Sequence, residues 1–201
     1  MYKYKVDVRI EGTAPILQHK FGIAVLDQLQ KGATRRTGAP DYSQEWLDTM
    51  YTEDGYVVQP ATHIEGALIK AAASFTIKGK GRKTWKDPVK ASCFVQPDLI
   101  PHLFRGEKVE APSPELLTNP TEHLSVDVSR VKVQRAAVAR SRLKISKDWE
   151  LAFMIEVHDD QVRPEVLEEI LQEAGRAVGI GDYRPRFGRF IVTQFEIQQS
   201  S

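Results

Sequence analysis

Residues 2–11 alternate between apolar and charged side chains without a break, and no other stretch constrains the fold of this chain as strongly. Tyrosine, valine and isoleucine occupy one face of the segment, and lysine, aspartate, arginine and glutamate occupy the other. A period of two is the pattern of a half-buried strand in an antiparallel or mixed sheet that leaves one face open. The sequence therefore predicts a strand of such a sheet here.

Two amphipathic segments predict helices. Thr62 and Glu65 have the T-x-x-E spacing of a capping box, and an apolar stripe follows them as far as Phe75. Small residues on this segment would let the helix lie close against a sheet, and they are Gly66, Ala67 and Ala71 to Ala73. Pro164 stands at a permitted first helical position and opens a second segment with one apolar and one acidic face.

Further elements are expected between and after these helices. Residues 151–157 alternate again, and residues 189–197 are expected to form the last strand. A short helix is predicted around residues 43–51. Residues 97–122 hold five prolines, which favours an extended excursion over regular structure.

The order of the elements is strand, helix, a variable middle, strand, helix, loop and strand. This order predicts an α+β fold with a ferredoxin-like, or RRM-like, βαββαβ core. A chain of 201 residues can bury a full core. We therefore expect one domain over residues 1–201, with insertions at about 13–55 and 76–148.

The formal net charge of +1 hides a strong asymmetry along the chain. Residues 76–148 hold 15 Lys and Arg against 8 Asp and Glu, a net of +7, which leaves −6 for the rest. Within this segment, residues 125–145 combine β-branched and basic residues, which predicts a basic β-hairpin that projects from the domain. Such a segment can follow a polyanion, because neutralised phosphates release counterions; a solvated surface explains the charge equally well.

A loop rich in glycine and arginine, residues 179–190, lies between the second helix and the last strand. Its arginines can pair with phosphates, its aromatic side chains can stack on unpaired bases, and its glycines allow a close backbone approach. An ordinary helix-to-strand connection can have the same composition. The loop alone does not decide between these two interpretations.

Cys93 is the only cysteine, which excludes an internal disulfide and a cysteine-based metal site. No apolar run approaches the roughly 18 to 20 residues that cross a bilayer, and the first residues lack the apolar core of a secretory signal. We therefore expect a cytoplasmic protein that needs no membrane, no cofactor and no metal ion.

Residues 58–70 read Val-Gln-Pro-Ala-Thr-His-Ile-Glu-Gly-Ala-Leu-Ile-Lys. They resemble the Pro-Gly/Ala-Ser-Ser-x-x-Gly-x-x-Arg segment that opens the first helix in the RAMP superfamily of CRISPR-associated proteins. Thr62 and His63 stand in place of the serines of that segment, and Lys70 in place of its basic residue.

Two more segments resemble the same superfamily, most closely its crRNA-binding backbone subunits. Residues 142–145, followed by the strand at 151–157, resemble the strand that returns to the sheet. Residues 179–190 resemble the glycine-rich loop of the family, although Pro185 and Phe187 make this loop less glycine-rich.

The resemblance implies a non-catalytic subunit with an RNA-recognition-like fold, which holds single-stranded guide RNA against its sheet and glycine-rich loop. The basic hairpin would act as a thumb between successive nucleotides. Copies of the same chain would assemble side by side and contact other effector subunits. The residues implied in nucleic acid binding are Thr62, His63, Lys70, Arg130, Lys132, Arg135, Arg140, Arg142, Gly179, Gly181, Tyr183, Arg184, Arg186 and Arg189.

Two alternatives remain open. Some RAMP proteins cleave RNA with a histidine as general base or with an aspartate in the loop after the first strand, and His19 and Asp41 lie in the equivalent stretch. A metal-dependent endoribonuclease is therefore one alternative. The other is a stand-alone relative of phage or mobile-element origin that binds nucleic acid or a protein partner. No phosphate-binding glycine motif or nucleophile elbow occurs, so conventional nucleotide hydrolysis and acyl transfer are not expected.

Overall fold

The computed structural model describes residues 2–20, 42–133 and 136–199. Its strands and helices follow in the order β1 (Tyr4–Gly12), β2 (Ile16–Leu17), α1 (Tyr42–Thr49), β3 (Thr52–Glu53), β4 (Tyr56–Pro60), α2 (Ala61–Ala72), α3 (Lys86–Ser92), β5 (Cys93–Gln96), β6 (Leu99–Pro101), β7 (Leu103–Phe104), β8 (Glu107–Lys108), β9 (Leu124–Val133), β10 (Ala136–Ile145), β11 (Glu150–Val157), α4 (Pro164–Glu173) and β12 (Phe190–Gln199). A 3-10 turn at Pro114–Leu117 precedes β9, and a π-turn at Ala174–Val178 continues α4. None of the helices in the described ranges is both long enough and apolar enough to cross a membrane.

The central sheet is built on four strands in the order β12, β1, β11 and β5, and each neighbouring pair is antiparallel. Along the chain, α2 lies between β1 and β5, and α4 lies between β11 and β12. This is the βαββαβ arrangement, and the predicted α+β ferredoxin-like fold is confirmed. Strand β5 lies inside residues 76–148, so the segment predicted as an insertion also supplies a strand of the core.

The packing of the first strand confirms its predicted alternation. Val6, Val8 and Ile10 are buried in one cluster with the apolar faces of α2 and α4. Full burial of side chains of this size contributes about 1.5–3 kcal/mol each. The opposite face of the sheet is charged, because Lys5 pairs with Glu156 at 2.7 Å and a second cross-strand pair joins β1 to β11 nearby.

The predicted basic hairpin is present as β9 and β10, which pair along their whole length. It belongs to a second sheet, in which β10 also pairs with the two-residue strand β2. Residues 142–145, which the resemblance joined to the returning strand, are therefore part of the hairpin. The strand expected at residues 151–157 does return to the central sheet, as β11. Leu143 and Ile145 are buried, so the base of the hairpin is anchored in the core.

The predicted capping box of Thr62 and Glu65 does not form. Helix α2 begins at Ala61, with Pro60 at the N-cap position and no side chain bonded to the free backbone N–H groups. The Oε1 atom of Glu65 instead accepts a hydrogen bond from the backbone N–H of Val95, at 3.0 Å. The carboxylate therefore ties α2 to strand β5, and this tertiary contact replaces the local cap.

Two other predictions are only partly right. Gly66 is exposed and no atom lies within 4 Å of the position that a Cβ would take, so it does not bring α2 against the sheet. The buried alanines of the same helix do bring it against the sheet.

Residues 97–122 are not free of regular structure, because they contain β6, β7 and β8. The helix expected at residues 43–51 is α1.

We expect Gly12→Ala to lower the free energy of unfolding by about 1–3 kcal/mol, as overpacked cores do. A Cβ at Gly12 would lie 2.2 Å from Nε1 of Trp149, a fully buried side chain that cannot move aside. The matched control is Gly66→Ala, which fills open space on a helix and should stabilise by about 0.5–1 kcal/mol. Denaturant unfolding of both variants is the measurement, and equal effects would contradict the packing described here.

Candidate nucleic-acid interface

The loop after α4, residues 179–189, is called the glycine loop here, and its backbone is pinned to the start of the chain. The N–H of Asp182 donates to the carbonyl of Leu17 at 2.8 Å, and the N–H of Gly188 donates to the carbonyl of Pro15 at 2.8 Å. Gly188 has a φ of 73°, and a Cβ there would lie 1.7 Å from the oxygen of Ile180. Only glycine fits such a position, so the composition of the loop follows from its fold.

The part of the glycine loop that is free of these bonds projects into solvent. Tyr183 is 60% exposed, and its ring lies 5.8 Å from that of Phe187. Arg184, Arg186 and Arg189 are exposed as well. Rings and guanidinium groups held on a fixed backbone offer both stacking surfaces and phosphate ligands.

A cleft of about 510 Å³ separates the glycine loop from the hairpin. We call it the arginine cleft, and it is lined by His19, Ser129, Arg130, Arg140, Arg142, Asp182 and Tyr183. Five residues singled out in the sequence thus meet in one place, although they come from three distant segments. Those five are His19, Arg130, Arg140, Arg142 and Tyr183.

Arg142 is buried in this cleft and bonded on several sides. Its Nη1 lies 2.7 Å from Oδ2 of Asp182, its Nη2 donates to Oγ of Ser129 at 2.8 Å, and Asp127 lies 3.9 Å away. The side chain joins the hairpin to the glycine loop. Its charge is already paired, so its first role in the structure is to hold the two walls of the cleft together.

Arg140 is also paired inside the protein. Its guanidinium contacts Glu45, a buried carboxylate on α1, and the same carboxylate accepts the backbone N–H of Ser141 at 3.0 Å. Arg130 is exposed and forms no ion pair with any residue that the structure describes. Of the arginines that line the cleft, Arg130 is therefore the one that keeps its charge available to a ligand.

His19 lies half-buried at the wall of the arginine cleft. Burial lowers the pKa of His19 below its ordinary value, and the nearby carboxylate of Asp182 only partly offsets this. Its Nδ1 atom is buried without a hydrogen-bond partner in the described part of the chain. A neutral histidine with an unused ring nitrogen can accept a hydrogen bond or a proton from a group in the cleft.

The segment that resembles the family's first helix lies beside the glycine loop. Thr62 and Lys70 are exposed on α2, and His63 is half-buried near its start. Burial lowers the pKa of His63, and the positive charge of Arg184 lowers it further. Arg184 thus acts electrostatically on the start of α2, and α2 packs against the π-turn that leads into the glycine loop.

A row of hydrogen-bonded polar side chains, which begins at a buried histidine, holds His63 in place. Nε2 of His102, which is fully buried, lies 3.1 Å from Oε1 of Gln59, and the amide nitrogen of Gln59 contacts Nδ1 of His63. The amide oxygen of Gln59 accepts a hydrogen bond from His102, so its amide nitrogen faces His63 and donates to Nδ1 of that ring. Since Nδ1 accepts, the neutral ring of His63 carries its proton on Nε2. This Nε2 has no partner among the described residues and is not sealed from solvent, so it is presented as a donor.

Sequence patterns alone indicate little of this row of polar side chains. Gln59 and His102 stand 43 residues apart, and Gln18, which donates to the carbonyl of Val58 at 2.8 Å, comes from a third segment. A glutamine inside the apolar run Tyr56–Pro60 is the one signal that was present, since a buried amide needs polar partners.

Several other residues that were predicted to bind nucleic acid or to act in catalysis lie away from the arginine cleft or outside the described part of the chain. Arg186 and Arg189 line a separate groove of about 890 Å³ together with Arg176 and Phe187. Asp41 and Arg135 lie outside the described residues, and so does the side chain of Lys132. Within residues 2–20, 42–133 and 136–199, no group of three or more His, Cys, Asp or Glu side chains could hold a metal ion.

The open face of the central sheet is unsuited to RNA, although the resemblance implied RNA binding against the sheet. Its charged residues are those that alternate with the core positions in β1, β11 and β12. Two are basic, Lys5 and Arg9, and five are acidic: Asp7, Glu11, Glu150, Glu156 and Glu196. A net negative face repels a phosphate backbone, which favours the glycine loop and the arginine cleft.

We expect the stability of the protein to fall as the pH drops from about 6.5 toward 3. Burial lowers the pKa of His102 to about 3, from 6.5 in the unfolded chain, so only the unfolded chain gains a proton in this window. The slope is about 1.4 kcal/mol per pH unit for one proton.

His102→Gln keeps a donor for Gln59 and removes the titrating ring, so the plot of unfolding free energy against pH should become shallower by about that amount. The matched control His158→Gln removes an exposed histidine. Denaturant unfolding at several pH values is the measurement, and an unchanged slope in His102→Gln would contradict the buried, neutral state of this ring.

Comparisons with known proteins bear on the fold. No protein-family model matches the chain, and no curated protein matches its sequence. A chain in the cryo-EM structure of the Type III-B Cmr-beta bound to cognate target RNA is similar, with a TM-score of 0.53 and 13% sequence identity. The match covers 98% of this chain and 61% of the other, so this chain spans less than two thirds of its neighbour. At this identity, the likeness shows that the fold is shared over nearly the whole chain.

Proposed function

We propose that the chain binds single-stranded RNA as a non-catalytic subunit of a CRISPR-type effector complex, with a guide RNA as its ligand. The observation that carries this proposal is that Arg130 and Tyr183 line one cleft and that the exposed Arg184 follows Tyr183 on the same rigid loop. Exposed guanidinium groups supply phosphate contacts, and the exposed ring supplies a surface on which an unpaired base can stack.

The geometry supports a single strand over a duplex. An aromatic ring can stack only on a base whose face is free, and bases inside a duplex are stacked on one another. The neutral donor His63 lies beside Arg184, so a group with acceptor oxygens fits the surface between them. A ribose or a phosphate oxygen has this character.

The fold neighbour supports the same class of ligand, because the Type III-B Cmr-beta of that structure is bound to cognate target RNA. The resemblance seen in the sequence points to guide RNA and to assembly with copies of this chain and with other effector subunits. These partners are part of the proposal.

The double variant Arg184→Ala/Arg186→Ala should weaken binding of single-stranded RNA and flatten its salt dependence. Each phosphate contact that is lost should reduce the slope of log K against log salt by about 0.7. Fluorescence anisotropy of a labelled oligoribonucleotide across a range of salt concentrations measures both effects. Arg184 and Arg186 are exposed, so the fold should not change.

The control is Arg105→Ala/Arg163→Ala, which removes the same charge from exposed positions outside the arginine cleft and the glycine loop. It should bind RNA with nearly the affinity and slope of the unaltered protein. If both double variants lost affinity equally, only net charge would matter. If neither did, the glycine loop would not be part of the binding site.

RNA cleavage is a second candidate function, and the position of His19 favours it. This side chain lines the cleft, and burial lowers its pKa, which favours the neutral form that a general base requires. Under our main proposal, RNA incubated with the protein and Mg²⁺ or Mn²⁺ stays intact. Cleavage that is lost in His19→Ala or in Asp41→Ala, with RNA binding retained, would replace the main proposal with a ribonuclease.

A further inference from the structure

The stretch that follows α2 carries six basic side chains, and the proposed RNA site uses none of them. We call residues 76–90 the basic ridge. Its single acidic residue is Asp87, and its basic residues are Lys78, Lys80, Arg82, Lys83, Lys86 and Lys90. All six are exposed, and none forms an ion pair or a side-chain hydrogen bond with any residue in the described ranges.

The basic ridge is a folded part of the domain. The N–H of Trp85 donates to the carbonyl of Phe75 at 3.0 Å, and the N–H of Ile77 donates to the carbonyl of Lys83 at 2.8 Å. The rings of Phe75 and Trp85 pack against the hydrophobic core, and α3 packs against α2. The charges are therefore held in place relative to the sheet.

The turn of the basic ridge, residues 76–84, lies at the other end of α2 from the residue on which Arg184 acts. Arg184 lowers the pKa of His63 in the first turn of α2, whereas the ridge begins four residues after the last turn. A helix of 12 residues is about 18 Å long at 1.5 Å per residue. That length exceeds the Debye length of about 8 Å at physiological salt, so the turn is electrostatically separate from the start of α2. The rest of the ridge, on α3, packs against α2.

The charges of the ridge differ from those of Arg140 and Arg142 in the hairpin, because they are not neutralised by carboxylates of the described residues. Arg140 and Arg142 are paired with carboxylates inside the protein, and their charge is used in the fold. Six like charges on 15 residues repel one another, and this repulsion is relieved when a polyanion replaces their counterions. Of the described basic side chains in residues 76–148, ten form no ion pair, and six of these ten belong to the ridge.

The chemistry of the surface identifies the kind of polyanion. Protein interfaces have an apolar core and are depleted in lysine, whereas phosphate contacts need only charge. Five of the six basic residues are lysines, and no large hydrophobic side chain within residues 76–90 is exposed. We propose that the basic ridge is a second nucleic-acid surface, which binds the phosphate backbone without reading its sequence.

This surface does not depend on the proposed role of the arginine cleft. A single nucleic acid that leaves the glycine loop along α2, or a second strand, would meet it equally, since both offer phosphates. The experiment is therefore built to report on the ridge and on the glycine loop separately.

The ridge variant replaces four residues of the turn, Lys78→Ala, Lys80→Ala, Arg82→Ala and Lys83→Ala, in the full chain. The probe is a fluorescent oligouridine of about 20 nucleotides, which at about 3.4 Å per phosphate exceeds the length of α2 several-fold. Up to four phosphate contacts are lost, so the slope of log K against log salt should become shallower by up to about 3.

The charge-matched control removes four exposed basic residues elsewhere, by Arg105→Ala, Lys108→Ala, Lys147→Ala and Arg163→Ala. It should keep the slope of the unaltered protein, and thermal melts should show that both variants fold. A ridge variant with the slope of the unaltered protein would overturn the proposal. So would a control that loses as much slope as the ridge variant, because binding would then follow net charge alone.

Polyglutamate of the same length tests the competing partner. If it bound as tightly as oligouridine and lost its affinity in the ridge variant, the ridge would be a site for an acidic protein and the proposal would be wrong. The variant Arg184→Ala/Arg186→Ala separates the two sites. A slope that falls in the ridge variant and not in this one would support the ridge and count against the glycine loop.

Discussion

The buried guanidinium of Arg142 connects the two parts of the molecule from which the candidate interface is made. The hairpin belongs to a separate sheet, and it meets the rest of the fold through β2, through Glu45 on α1 and through the pair between Arg142 and Asp182. Arg142 is buried whereas Asp182 is partly exposed, so the pair belongs both to the core and to the wall of the cleft. The contact joins the two walls, and under the proposed function Arg142 would serve an RNA ligand by holding them in place.

Local patterns in the sequence predicted the strands and helices, whereas ion pairs between residues far apart in the sequence determine how these elements form the candidate interface. The alternation of β1 and of β11, the basic hairpin and the two core helices were recoverable because periodicity reports which face is buried. The pairing of Arg140 with Glu45 spans 95 residues, and that of Arg142 with Asp182 spans 40. No spacing rule relates such residues. For the same reason Glu65, which looked like a cap, is used by a strand 30 residues away.

The excess of basic residues in the middle of the chain has to be judged from the fold, because ion pairs within the protein neutralise part of this charge. The middle segment is strongly basic in sequence, yet part of that charge is cancelled inside the fold by carboxylates of α1 and of the glycine loop. Among the described side chains of this segment, the basic residues without an ion pair are the six of the ridge, Lys108, Arg130, Lys144 and Lys147. The open face of the sheet is acidic, so a polyanion is repelled there and attracted to the ends of α2.

The glycine loop and His63 are held rigidly by hydrogen bonds, and this favours the proposed binding of RNA. The glycine loop is held by backbone bonds to Leu17 and Pro15, and His63 is held by the chain from His102 through Gln59. Groups that are already fixed lose little conformational entropy when a ligand arrives, so more of their interaction energy appears as affinity. A flexible RNA strand must still be ordered on binding, and a preformed surface reduces the total cost to that of the strand. The hydrogen bonds between distant segments, which no local sequence pattern predicts, are thus the ones that hold the exposed residues of the candidate interface in place.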